Sequence, residues 1–270
     1  MRSGSMKTYE GFVAPSETFW NDVQAAWTLA KPILLKGPTG SGKTKLAEAL
    51  ARTHERPIES VNSSVDLDAE SLLGFKTLVA RDGESVIEFV DGPVVRAMKE
   101  GHLLYIDEIN MARPETLPIL HGVLDYRRTL TNPFTAEVIV AHPEFRVIAA
   151  INEGYVGTTP MNEALKNRFV AYDVPYIDGE ALQQLLKQRV PGASEEAQRV
   201  AYAFARDVQH EVKEGRLVEQ AASIRSLLDA LELSQHMPLR RAIEYAIIAK
   251  IDEPLERAFL RELVATWGDV

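Results

Sequence analysis

At 270 residues and 46% hydrophobic side chains, the chain exceeds the usual single domain and can build real cores, so a principal domain with a smaller appended unit is expected. A formal charge of -9 and a pI near 5.3 argue against a protein that coats duplex nucleic acid, which carries a basic face. The absence of cysteine excludes disulfides and thiolate metal sites and suits a reducing cytosol, and no apolar run reaches the length of a membrane span or forms a secretory leader.

Residues 1 to 5 precede a second methionine, Met6, and read as a cloning scar. From 16 to 30, Phe19, Val23, Ala26 and Trp27 recur at helical spacing behind Ser16, a side chain suited to capping a helix. An apolar run at 32 to 35 then leads into Gly37, Pro38, Thr39, Gly40, Ser41, Gly42, Lys43 and Thr44, and a helix-favouring run continues to about residue 53. Strand, glycine-rich turn and helix N-terminus together make a phosphate-binding loop. Its glycines let successive backbone NH groups face one anion, and the helix dipole adds positive potential at the same point. Lys43 is expected to reach the β- and γ-phosphates of a nucleotide, and the Thr44 hydroxyl to ligate the magnesium ion that neutralises them.

A second strand is expected at 57 to 61, then a short helix through Leu73 capped by Asp66 and Asp68 and broken at Gly74. Apolar runs at 78 to 80 and 86 to 89 flank the turn signal Asp82-Gly83, which predicts a β-hairpin over about 75 to 91, followed by a helix at 93 to 99. The apolar strand at 103 to 106 ends in Asp107-Glu108. That puts two carboxylates at a strand's C-terminal edge, where open α/β sheets bind ligands. Asp107 is expected to hold magnesium, through water, and Glu108 to orient and deprotonate an attacking water. A helix follows from Glu115 or Thr116 to 126, with Pro118 tolerated in its first turn; after Arg127 and Arg128 comes a hairpin at about 129 to 143 that turns at Asn132-Pro133. The strand at 145 to 151 ends in Asn152, Thr159 and Pro160 open a helix reaching Arg168, and 170 to 174 is the last strand. Beyond Pro175 the pattern is helical only, with apolar stripes behind Ser194 and from Ile224 to Leu231, and with Pro238 and Pro254 opening the last two helices. The resulting division is a nucleotide-binding α/β domain over 6–175 and an α-helical lid over 176–270. Histidines 54, 102, 121, 142, 210 and 236 have no ligand spacing, so no metal beyond nucleotide-bound magnesium is expected.

These elements resemble the AAA+ ATPases and, within them, the MoxR group, especially its NorQ/CbbQ/NirQ branch. The resemblance runs over about residues 12 to 250 and is carried by Gly37 to Thr44, by Phe89-Val-Asp-Gly-Pro-Val ahead of Leu103-Leu-Tyr-Ile-Asp-Glu-Ile-Asn110, and by Glu163-Ala-Leu-Lys-Asn-Arg-Phe169. It implies a P-loop core with a five-stranded parallel sheet, two β-hairpin insertions and a small all-α lid, assembled into a ring, commonly a hexamer. Asn152 matches sensor 1, which positions the attacking water; Arg168 matches the arginine finger that one subunit supplies to its neighbour; Arg225 stands where the lid's sensor 2 arginine belongs. Arg127 and Arg128 are rival fingers. ATP with Mg2+ is the implied cofactor pair, and no Asn-Lys-x-Asp motif specifies guanine. The implied activity is that of a cytoplasmic ATP-hydrolysing remodelling chaperone that matures or reactivates a client protein, often with a von Willebrand A-domain partner. A nucleotide-gated binding switch with slow hydrolysis is the alternative. A nucleic-acid motor is a third reading, disfavoured by the acidic total.

Overall fold

The computed structural model describes residues 8–63, 67–81, 84–152 and 161–267. The expected cap Asp66, the turn Asp82-Gly83, and Thr159 and Pro160 lie outside the described residues. The chain falls into two compact units: a sheet unit of Thr8–Lys36 and Lys43–Asp173, and a helical unit that takes Gly37–Gly42 and the chain from Val174 onward.

The sheet unit opens with a ribbon, β1 (Thr8–Tyr9) and β2 (Phe12–Val13), then α1 (Glu17–Thr28), β3 (Ile33–Gly37), α2 (Lys43–Thr53) and β4 (Ile58–Asn62). Next come α3 (Ala69–Leu73), the antiparallel pair β5 (Gly74–Arg81) and β6 (Glu84–Asp91), α4 (Pro93–Glu100) and β7 (Leu103–Asp107). It closes with α5 (Leu117–Leu124), the pair β8 (Thr129–Thr131) and β9 (Val138–Val140), β10 (Arg146–Asn152), α6 (Glu163–Lys166) and β11 (Val170–Asp173). The main sheet is ordered β11-β3-β10-β7-β4. Its β11–β3, β10–β7 and β7–β4 pairings are parallel. Strands covered on both faces need continuous apolar runs, which is why 33 to 35 and 103 to 106 show no alternation. Leu34, Leu104, Ile106, Val147 and Ala149 share one core cluster with the buried faces of α4 and α5.

Local chemistry sets the element ends. The Ser16 hydroxyl accepts the Phe19 NH at 3.0 Å and Asp68 accepts the Ser71 NH at 2.7 Å, capping α1 and α3. Gly74 ends α3 at φ 115°, where a Cβ would lie 2.1 Å from the Val90 carbonyl oxygen, so only glycine closes the base of the β5–β6 hairpin.

The structure corrects the sequence reading in several places. In α1 the buried aromatics are Trp27, as expected, and Trp20, stacked on Tyr9 at 4.1 Å, whereas Phe19 meets Tyr172 edge-on nearer the surface. Helix α5 stops at Leu124, leaving Tyr126 outside it. Helix α6 starts at Glu163, because the Asn162 side chain takes the Leu165 NH at 3.2 Å, and it ends before Arg168.

The helical unit contains α7 (Gly179–Arg189), α8 (Glu195–Lys213), α9 (Ile224–Leu233), α10 (Leu239–Ala246) and α11 (Pro254–Ala265). Leu182, Phe204, Leu231, Ile243 and Leu260 fill its core. Ser194 and Ser223 cap α8 and α9. Within the same unit, a Cβ on Gly37 would fall 2.2 Å from the Val174 carbonyl oxygen, so the loop's first glycine is fixed by close backbone approach. No described helix is long and apolar enough to cross a membrane.

Candidate functional site

The parallel sheet brings the C-terminal ends of β3, β10 and β7 side by side, with β3 running straight into the glycine-rich loop. That edge is where the peptide ends of an open sheet receive a ligand. In the sheet unit, Lys43 begins α2 and is buried, while Thr44 beside it is exposed. The Thr44 hydroxyl lies 3.1 Å from the Tyr105 hydroxyl, and Tyr105 stands on the same side of β7 as Asp107. Asp107 accepts the Glu108 NH at 3.0 Å.

Burial pushes the Asp107 carboxyl above the ordinary range, and the Glu108 charge adds to this. The Glu108 NH, Lys43 and the Tyr105 hydroxyl oppose it. Burial likewise raises the Tyr105 phenol. A desolvated carboxylate beside a hydroxyl is a pair of hard oxygen donors, the set that magnesium prefers. Among the described residues no group of three or more His, Cys, Asp and Glu could hold a metal ion. Water and a bound ligand's oxygens would supply the remaining coordination, which is how magnesium is held beside phosphates, and the donor set fits that ion.

Glu108 adopts left-handed backbone, φ 51° and ψ 42°, immediately after β7. Such a conformation is uncommon for a residue other than glycine and concentrates at functional positions. Its carboxylate accepts a hydrogen bond from Asn152 Nδ2 at 3.2 Å. Three short contacts thus link Thr44 to Tyr105, Asp107 to Glu108 and Glu108 to Asn152, with Lys43 next to Thr44 at the start of α2; Tyr105, which the sequence reading passed over as one of an apolar run, stands among them. Its signal was available: a phenol two residues before the acidic pair points to the same side of the strand as Asp107.

The loop itself carries Gly37, Gly40 and Gly42 at positive φ, and between them the buried Ser41 hydroxyl has no hydrogen-bond partner. The Ser41 NH bonds the Pro38 carbonyl at 3.3 Å; Thr39 completes the loop. A buried orphan hydroxyl in a glycine cradle is the arrangement that an oxyanion ligand satisfies.

Arg168 is elsewhere in the sheet unit. It lines a groove with Leu29, Tyr126, Arg128 and Phe145 that includes none of the five linked residues, and its guanidinium donates to the Ala164 carbonyl. Arg128 spends its guanidinium on the carbonyls of His142 (3.2 Å) and Phe145 (2.7 Å). Arg127 pairs with Asp125 at 2.9 Å but is 69% exposed. In the helical unit, Arg225 is exposed in the first turn of α9.

The family model described as an AAA domain of the dynein-related subfamily matches residues 32–169. The chain is 57% identical over 247 residues to a protein of Staphylococcus saprophyticus, covering 91% of this chain and 94% of that one. YojN of Bacillus subtilis is 55% identical over 256 residues, 95% of this chain and 84% of its own. Among solved structures, NtrX of Brucella abortus in complex with ADP is similar at TM-score 0.57 and 18% identity, over 83% of this chain and 50% of NtrX; its ATP complex is similar at TM-score 0.52 and 19% identity, over 95% and 69%. This chain therefore spans half of the ADP-bound NtrX chain. At such identity the likeness speaks to the fold, a P-loop α/β core with the parallel sheet described above.

Proposed function

The chain belongs to the AAA domain family, dynein-related subfamily, and on that premise we propose that it binds ATP with magnesium and hydrolyses it to ADP and phosphate. The observation that carries this reading is the hydrogen bond from Asn152 to Glu108, which ties the expected base to the expected water-positioning amide beside Lys43, Thr44 and Asp107. The NH groups from Gly37 to Thr44 would cradle the phosphates, with Ser41 as a further donor. Lys43 would neutralise the β- and γ-phosphates by a charge-assisted contact. Thr44 and Asp107 would hold magnesium, which when bound offsets phosphate charge. Glu108 would take a proton from the attacking water as Asn152 orients it, and Arg168 would stabilise charge on a neighbouring subunit's phosphate. Arg225 would contact nucleotide from the helical unit. NtrX being solved with ADP and with ATP accords with this.

More finely, the resemblance supports a MoxR-type, NorQ/CbbQ-like cytoplasmic ring, a hexamer, that remodels a client protein and works with a von Willebrand A-domain partner. Two antiparallel hairpins inserted on either side of α4 and β7 fit that reading. The alternative is a nucleotide-gated switch with slow turnover, in which the Asn152–Glu108 bond would have to open before Glu108 takes a proton from water. Turnover that rises when a partner is added separates the two.

The test is a pair of substitutions. Lys43→Ala should lose ATP binding, while Glu108→Gln should keep ATP bound and lower turnover by about a hundredfold to ten-thousandfold, the usual worth of general-base help. Nucleotide affinity and steady-state hydrolysis on both variants decide it. Normal hydrolysis by Glu108→Gln removes Glu108 from the mechanism.

A further inference from the structure

We propose that the groove at the N-terminal ends of β3 and β10 receives the tip of α11 from a second copy of this chain. Leu255 is the apolar anchor of that tip, and Asp252 and Glu253 are its acidic flank. The inference rests on the reading of the chain as a ring and names two surfaces that meet in it.

Among the described residues the two most exposed large apolar side chains are Tyr126, at 89%, and Leu255, at 79%. Tyr126 lines the groove together with Leu29, the residue that ends α1. Leu255 follows Pro254 in the first turn of α11, whose buried positions are Leu260 and Val264. A single apolar side chain in water needs no partner of its own. What selects this pair is charge.

Three cations, Lys31, Arg128 and Arg168, line the groove with one carboxylate, Asp125. Asp125 is already bonded to Arg127 at 2.9 Å, and Glu144, whose charge reaches Arg128, is paired with Arg56 at 3.0 Å. The guanidinium groups of Arg128 and Arg168 donate to backbone carbonyls, which are neutral and leave the positive charge in place. In a chain of net charge -9 the groove is therefore a local positive excess. The tip of α11 is the reverse. Asp252 and Glu253 are exposed just ahead of Leu255, and Glu256 follows it with its carboxylate on the Val218 NH at 2.9 Å. The nearest cations in sequence are occupied within the helical unit, Lys250 on the Ser226 hydroxyl at 3.2 Å and Arg257 by its attraction to Glu244. By contrast, Leu78 and Ile87, paired on the β5–β6 ribbon, stand among charges of both signs, Lys76, Glu84 and Glu88.

Two copies that each carry -9 repel, so they associate only where patches of opposite sign meet, and that local match fixes where they dock and in which orientation. Groove and tip are different surfaces, so the contact is head-to-tail. After one contact each pair still offers a free groove and a free tip, and such an interface closes into a ring or continues as a filament.

The test is sedimentation velocity on the full chain over a range of concentrations, with magnesium and a non-hydrolysable ATP analogue, for wild type, Lys31→Glu, Glu253→Lys and Leu255→Ala. All three side chains are exposed, and Glu253 caps α11 without a side-chain hydrogen bond, so melting temperatures should match wild type. Each substitution should raise the concentration for half-assembly about tenfold or more, the first two by setting like charges together and the third by removing the anchor. An equimolar mixture of Lys31→Glu and Glu253→Lys should recover to within about threefold of wild type. In that mixture the altered groove meets the altered tip with the charges exchanged, while the other contact is wild type on both sides. Unchanged assembly of any of the three variants overturns the proposal and leaves the groove to an acidic segment of another protein. Weakened single variants whose mixture does not recover also overturn it, because the two surfaces then do not meet. If wild type stays monomeric throughout, the ring reading fails and the proposal with it; if wild type assembles and the variants match it, only the pairing of groove and tip is lost.

Discussion

His54 shows how a single side chain converts packing into pH dependence. Its ring stacks on Trp27 at 4.8 Å, and its Nε2 donates to the Gln24 amide oxygen at 2.6 Å. Burial first, then the charges of Arg146 and Arg56, hold its pKa below 6.5, with Glu144 opposing. The folded state therefore binds fewer protons than the unfolded chain just below pH 6.5, and stability present above that pH is lost as pH falls toward the folded pKa. We expect the melting temperature to fall between about pH 7.5 and pH 5.5 and the slope to flatten in His54→Gln. Parallel slopes for the two proteins would assign the fall to other groups. At the same scale, Lys43 and Glu108 separate binding from chemistry, because one meets the phosphates in every state while the other acts only on the water.

The elements that differ most from a bare sheet and its helices are the two hairpins, and α4 ties them together. Lys99 on α4 pairs with Asp91 at the end of β6 and with Glu137 just before β9, each at 3.0 Å. Arg96, one turn earlier, holds Glu59 at 2.8 Å and keeps that carboxyl below its usual range. The β5–β6 ribbon carries its apolar side chains outward: Leu78 is 70% exposed, Ile87 67% and Phe75 51%. Phe75 follows Gly74 at the base of the ribbon, opposite Val90, with Lys76 beside it. An aromatic left half in solvent contributes little packing, so Phe75→Ala should cost only about 1 kcal/mol of stability. Basal hydrolysis should be intact and stimulation by a client lost, as expected of a residue that grips protein. A sharp fall in melting temperature would instead make Phe75 a packed corner.

At the scale of the whole molecule, the proposed ring is tested by whether an arginine acts across a subunit boundary. Arg128 and Arg168 both line the groove with the exposed Tyr126 and Leu29; Arg128 donates to the carbonyls of His142 and Phe145, and Arg168 to that of Ala164. If Arg168 acts across a subunit boundary, specific activity should rise with protein concentration. Arg168→Ala should bind ATP yet be slower by roughly a thousandfold or more, since a guanidinium stabilises charge that develops on the γ-phosphate oxygens. Mixing Arg168→Ala with Lys43→Ala should restore hydrolysis, because an intact site then faces an intact finger in some rings. No recovery despite demonstrated subunit exchange points to Arg127 or Arg128, or to a finger acting within one subunit.

What the sequence determined by itself was everything set by near neighbours: the loop from Gly37 to Thr44, the caps Ser16 and Asp68, the buried strands without alternation, and the acids that end β7. These follow from backbone geometry and from burial on both faces, which a short stretch of residues already encodes. Tertiary structure decided the rest. Only the folding of α2 against β7 brings Thr44 to Tyr105, and only the adjacency of β7 and β10 hands Glu108 to Asn152. The same holds for Arg128, whose apparent freedom in sequence ends at carbonyls fourteen and seventeen residues away. In each case the partner is remote along the chain, and the choice between a solvated side chain and a bonded one is made by desolvation, which does not exist until the two segments pack.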